Sequence, residues 1–203
     1  CITTNIDCVI NIKGGDYCIA NNAYIKIKNS LYGDGTVSIK HFAPFSIGDN
    51  VTIEGINWDG VDKADFWMYC QPNNLTVRNC SFRNYYGKSS GIIYWSHSER
   101  DTGGLLVENC TFGRLGAIPN GKIGDMDGSS VVIRTYRCED IVIKNNCFED
   151  QYGEEDADAI KLEGRRYDMH FPPLIQSGDD YCYEKVNAII EGAGAGGGVV
   201  AKE

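Results

Sequence analysis

A short phrase recurs four times in this chain and leaves it few ways to fold. The copies are Val51-Thr-Ile-Glu-Gly-Ile-Asn-Trp58, Leu75-Thr-Val-Arg-Asn-Cys-Ser-Phe82, Leu105-Leu-Val-Glu-Asn-Cys-Thr-Phe112 and Ile141-Val-Ile-Lys-Asn-Asn-Cys-Phe148. Each alternates branched and polar residues, puts Gly or Asn fifth, and closes on an aromatic ring. The starts at 51, 75, 105 and 141 lie 24, 30 and 36 residues apart. That is the range of stacked repeats, in which each unit buries its apolar face only against its neighbours.

Within a copy the period is 2, which predicts strand: Val77 with Cys80, and Val107 with Cys110, face one interior, and Thr76 and Arg78 face out. Asn79, Asn109 and Asn145 break the alternation at one place, where Gly55 stands in the first copy. Asn and Gly tolerate a left-handed backbone, so this slot predicts a sharp turn between two short strands, with the Asn side chains of successive copies close enough to hydrogen-bond. The rings of Trp58, Phe82, Phe112 and Phe148 are then expected to stack inside.

A second apolar strand follows each phrase, at residues 66–69, 92–95, 131–134 and 159–162. The expected fold class is all-β: a single-stranded parallel β-helix, or solenoid, with three strands per coil. The repeat spans residues 23–192. Residues 1–22 are expected to form an irregular first coil or the N-terminal edge, and a Gly/Ala-rich tail, 193–203, interrupts a fifth copy begun at Ala188. Open ends of such a stack leave strand edges unpaired, so the chain is expected to be a fragment with incomplete ends.

These features resemble the right-handed β-helix superfamily of pectate-lyase-like proteins, which includes polysaccharide lyases, polygalacturonase-type glycosidases and phage tailspikes. The resemblance implies a polysaccharide lying along the sheet of the second strands, between two loop walls. It places the chain outside the cell, at a cell surface or on a virion. Asp156-Ala-Asp158-Ala-Ile-Lys161 looks like the Asp-rich entry to that sheet in polygalacturonase-type enzymes, with Asp127 supplied by the preceding coil. The family's Gly-His-Gly and Arg-x-Lys elements are missing.

Two carboxylates before the strand could serve as general acid and base on a glycosidic bond. Asp125 and Asp127 could instead ligate calcium. A lyase would use Lys161, Arg134, His97 or Tyr94 as the base on a sugar ring proton. The opposite wall carries Arg165, Arg166 and His170, and Tyr94, Trp95 and Tyr136 could stack on sugar rings. Trp67 and Trp95 fit the cleft or the core equally well, because a one-residue slip in strand alignment reverses every side chain. Acidic residues before a strand also form ordinary solvated turns, and a non-catalytic structural or adhesive β-helix, trimeric or part of a larger assembly, is the competing reading.

A net charge of −9 and a pI near 4.8 argue against nucleic acid, which is bound with a surplus of Lys and Arg. No apolar run approaches a membrane span, and no signal-peptide pattern opens the sequence. The nine cysteines follow the repeat and are expected to be interior thiols, although coils about 4.8 Å apart would admit a bridge. Four glycosylation-type sequons begin at Asn50, Asn74, Asn79 and Asn109, where the fold itself already calls for Asn.

Overall fold

The computed structural model describes residues 8–19, 25–41, 45–63, 68–70, 74–85, 93–96, 102–115, 130–136, 138–151, 157–163, 188–191 and 198–202. The described residues form strands and turns, and none is helical. The first strands are β1 (Ile10–Asn11), β2 (Gly15–Cys18), β3 (Ile25–Ile27), β4 (Leu31–Lys40), β5 (Phe45–Ile47) and β6 (Thr52–Lys63). Next come β7 (Met68–Cys70), β8 (Leu75–Arg78), β9 (Ser81–Tyr85), β10 (Ile93–Ser96), β11 (Thr102–Glu108) and β12 (Thr111–Leu115). The last are β13 (Ser130–Tyr136), β14 (Cys138–Lys144), β15 (Cys147–Gln151), β16 (Ala157–Glu163), β17 (Ala188–Glu191) and β18 (Gly198–Lys202).

All of the pairings are parallel, and from β7 to β17 they join strands three apart in the chain. β8 pairs with β11, β11 with β14 and β14 with β17; β9 pairs with β12 and β12 with β15. β7, β10, β13 and β16 form the middle of a separate seven-stranded sheet, which β18 extends beyond β16. Residues 198–202, within the Gly/Ala-rich tail, are thus a sheet strand.

The register follows the repeated phrase. Thr52 stands opposite Thr76, Leu75 opposite Leu105, Leu105 opposite Ile141 and Ile141 opposite Ala188. The fifth position makes the turn, with φ of 66° at Gly55, 52° at Asn79, 53° at Asn109 and 55° at Asn145. Along this line the larger, eleven-stranded sheet curls, its first half holding β8, β11 and β14 and its second half β9, β12 and β15. Backbone bonds tie one turn to the next: Asn79 N–H donates to Glu108 O (3.0 Å) and Asn109 N–H to Lys144 O (3.2 Å). The Asn79 side chain donates to Glu54 Oε1 at 3.2 Å.

A second left-handed position opens each phrase. Asn50, Asn74 and Asp140 have φ of 57°, 58° and 51°, and Gly104 has 87°. Asn74 Nδ2 donates to Asn50 Oδ1 at 2.9 Å. Each of the four sequon asparagines therefore occupies a turn that needs its conformational tolerance, which explains their presence on structural grounds.

β4 is an earlier rung with a widened turn. Leu31 pairs with Ile53 and Ile39 with Trp58, and the register shifts between Tyr32 and Val37. Where later rungs use one residue, residues 33–36 bulge within β4, pinned by Asp34 Oδ1 accepting from Thr36 N–H (2.9 Å) and Thr36 Oγ1 (2.6 Å). β1 and β2 pair with the two ends of β4. β3 pairs with β5 in the smaller sheet.

One apolar cluster, contributed by both sheets, fills the interior. Its spine is the aromatic column: Trp58 and Phe82 have centroids 6.4 Å apart, and Phe82–Phe112 and Phe112–Phe148 are each at 5.2 Å, with planes within 11° of parallel. Cys80 and Cys110 are buried beside the column as free thiols, as the repeat predicts. In the next rung Asn146 takes that place, accepting from Cys110 N–H (2.8 Å) and donating to Val107 O (3.0 Å).

On the outward face of the larger sheet the register lines up Glu54, Arg78, Glu108 and Lys144, with Glu191 next in register, so the sequence of charges alternates in sign. Arg78 bonds Glu54 at 2.8 Å and Lys144 bonds Glu108 at 3.1 Å. The hydrogen bond and charge of Glu54 raise the Arg78 pKa above its ordinary value. Each half-exposed pair contributes about 0.2–1 kcal/mol, and the alternation also penalises slippage by one rung. Arg78→Glu would line up three acids. We expect it to cost about 1–2 kcal/mol at low salt; urea unfolding should show roughly half of that recovered in about 1 M salt, and a salt-independent loss would refute the electrostatic account.

Candidate functional site

The smaller sheet carries the residues singled out for substrate. Its register pairs Met68 with Ile93, Ile93 with Ile133 and Ile133 with Ile160, and all four side chains are fully buried. This is the interior row. The adjacent row, one residue on along each strand, reads Tyr69, Tyr94, Arg134 and Lys161. Two aromatic residues and then two cations thus occupy neighbouring positions on four consecutive strands, which stand about 4.8 Å apart. Arg134 is half-buried and engaged with neighbouring groups.

The other candidates divide by position. Trp95 shares a row with Thr135, which is buried, and with Leu162. Tyr136 lies two residues beyond Arg134, in the row of Ser96 and Glu163. Asp158 stands opposite Val131 on one side and Gly198 on the other, and the register between β16 and β18 shifts between Asp158 and Ile160. Irregularities of this kind re-aim side chains and occur often beside active sites. His97, Asp125, Asp127, Asp156, Arg165, Arg166 and His170 lie outside the described residues.

Val132 and Ile133 are consecutive and both buried, as are Ala159 and Ile160. Successive residues of a strand face opposite sides, so the smaller sheet is covered on both faces at this level. Two residues on from Val132 the strand reaches half-buried Arg134, in register with Tyr94 and Lys161. Tyr69 belongs to the same row and was not singled out from sequence; its signal is the spacing to buried Met68, visible only once the register is known.

Among the described residues no group of three or more His, Cys, Asp or Glu is placed to hold a metal ion, and no helix is long and apolar enough to cross a membrane. No family model matches the chain, and no curated protein or solved structure matches it.

Proposed function

We propose that the chain is a right-handed parallel β-helix with three strands per coil, and that it binds an extended polysaccharide along β7, β10, β13 and β16 and depolymerises it. The pairing of strands three apart supports the coil, and the row Tyr69, Tyr94, Arg134, Lys161 carries the functional reading. A strand spacing of about 4.8 Å is close to the length of one sugar unit in an extended glycan. Aromatic faces suit sugar rings, and cations suit their carboxylate or hydroxyl oxygens. On the larger sheet's charge ladder each cation lies between two acids. Arg134 and Lys161 instead stand side by side, a pattern that strand pairing alone disfavours.

In the lyase reading Lys161 or Arg134 takes a ring proton. In the hydrolase reading Asp158 acts with Asp156 or Asp127 as acid and base. The test is turnover of a panel of acidic and neutral glycans by the chain and by Arg134→Ala, Lys161→Ala and Asp158→Asn. Loss of a catalytic acid or base should lower kcat by roughly 10²–10⁴-fold with unchanged circular dichroism. Undiminished turnover in all three variants would refute the assignment. Glycan binding by the unaltered chain without turnover would favour the non-catalytic adhesive β-helix of a surface or viral appendage.

A further inference from the structure

We propose that Cys80 and Cys110 are a convertible dithiol–disulfide pair whose oxidised form staples two successive rungs of the larger sheet. The two residues occupy one interior row, which runs Val37, Ile56, Cys80, Cys110 and Asn146. They are the only neighbouring thiols in that row, because Ile56 flanks one side and Asn146 the other. Their relative exposures are 3% and 1%.

The backbone fixes their approach from both sides. Asn79 N–H donates to Glu108 O at 3.0 Å, and Thr111 N–H donates to Cys80 O at 2.9 Å. Parallel strands held in this way stand about 4.8 Å apart, within the Cα separation of roughly 4.4–6.8 Å that a disulfide accepts. Cys110 Sγ reaches back to the rung of Cys80, donating to Val77 O at 3.6 Å. Each sulfur also has a carbonyl of its own rung at 3.3 Å, Arg78 O for Cys80 and Glu108 O for Cys110.

Either thiol, as its thiolate, attacks one sulfur of a small-molecule disulfide, such as oxidised glutathione, releasing one small thiol. The other cysteine then gives up its proton and attacks the sulfur of the first, releasing the second small thiol. Two protein thiols become one S–S bond, one small disulfide becomes two thiols, and the two protons leave with them. Access comes during assembly, before the rung of Leu105–Phe112 closes over Cys80.

Tryptic cleavage isolates each cysteine, Cys80 in residues 79–83 and Cys110 in residues 101–114. The full chain, reduced and unfolded, is refolded in mixed reduced and oxidised glutathione, alkylated, digested and mapped by mass spectrometry. We expect the two peptides joined by a bond that reductant removes, and a Tm for the oxidised chain higher by roughly 5–10 °C. Cys80→Ser and Cys110→Ser should each abolish that rise. The proposal is overturned if the soluble refolded chain yields both peptides alkylated, if either cysteine pairs elsewhere, or if the bridged form melts lower. The mapping needs no variant, so a substitution that fails to fold leaves the test intact.

Discussion

Phe112→Ala should remove about 4 kcal/mol of folding stability, the largest loss expected from any single truncation in the aromatic column. The ring is fully buried, with Phe82 and Phe148 on its two sides, each at 5.2 Å and nearly parallel. Deleting it loses the transfer free energy of the side chain and leaves a gap between two rungs whose backbone separation is set by sheet hydrogen bonds, so the walls cannot collapse into it. It also ends both stacked contacts, each contributing about 0.5–1.5 kcal/mol beyond area burial. Phe148→Ala breaks only one of the described contacts and should cost about 1 kcal/mol less. Phe112→Leu, which keeps most of the volume, should cost under about 2 kcal/mol. Urea unfolding of the three variants gives the order directly. Equal losses at 112 and 148 would show that the rungs are not coupled through the rings.

The column could be foreseen because its signal is local and repeated: an aromatic residue three places after an Asn or Gly, in four copies. The turn was visible for the same reason, since few residues accept a positive φ and the slot holds only those. The second left-handed turn was harder to see. Its occupants, Asn50, Asn74, Gly104 and Asp140, vary in type and follow stretches of different length between one phrase and the next. β4 was obscured because residues 33–36 stretch its turn and break the spacing on which the repeat was recognised.

The smaller sheet was the least legible part, and the candidate site depends on it. Its strands are separated from the phrases by stretches of sequence of unequal length, so no fixed spacing sets their phase. Period 2 alone cannot say which residue of 93–95 stands in register with the buried residues of the neighbouring strands. The register decides: Ile93 joins Met68 and Ile133 in the interior row, and Tyr94 joins Arg134 and Lys161 in the next. No inspection of one strand yields that row, because its members are 25, 40 and 27 residues apart in sequence.

Gly55→Ala is expected to be the most damaging conservative change in a turn, at about 3 kcal/mol. Gly55 has φ of 66°, where any side chain other than that of Asn or Asp costs roughly 1–2 kcal/mol. Asn79, Asn109 and Asn145 meet the same demand, so conformation alone does not explain why the first copy uses Gly. Crowding does. A Cβ on Gly55 would overlap the Gly33 carbonyl oxygen, with the Gly33 carbonyl carbon at 2.9 Å, and a Cβ on Gly33 would overlap the carbonyl oxygen of Gly55 in turn. The bulge of β4 presses its backbone against this turn, and overpacking of that kind typically costs about 1–3 kcal/mol. Asn at 55 separates the two effects, because it relieves the backbone preference and keeps the clash. Gly55→Asn should therefore lose about 2 kcal/mol, whereas Asn109→Gly, at the equivalent slot without that neighbour, should lose under about 1 kcal/mol. Urea midpoints measure both. A Gly55→Asn chain as stable as the original would mean that the bulge at 33–36 yields freely and that only the left-handed conformation matters at this turn.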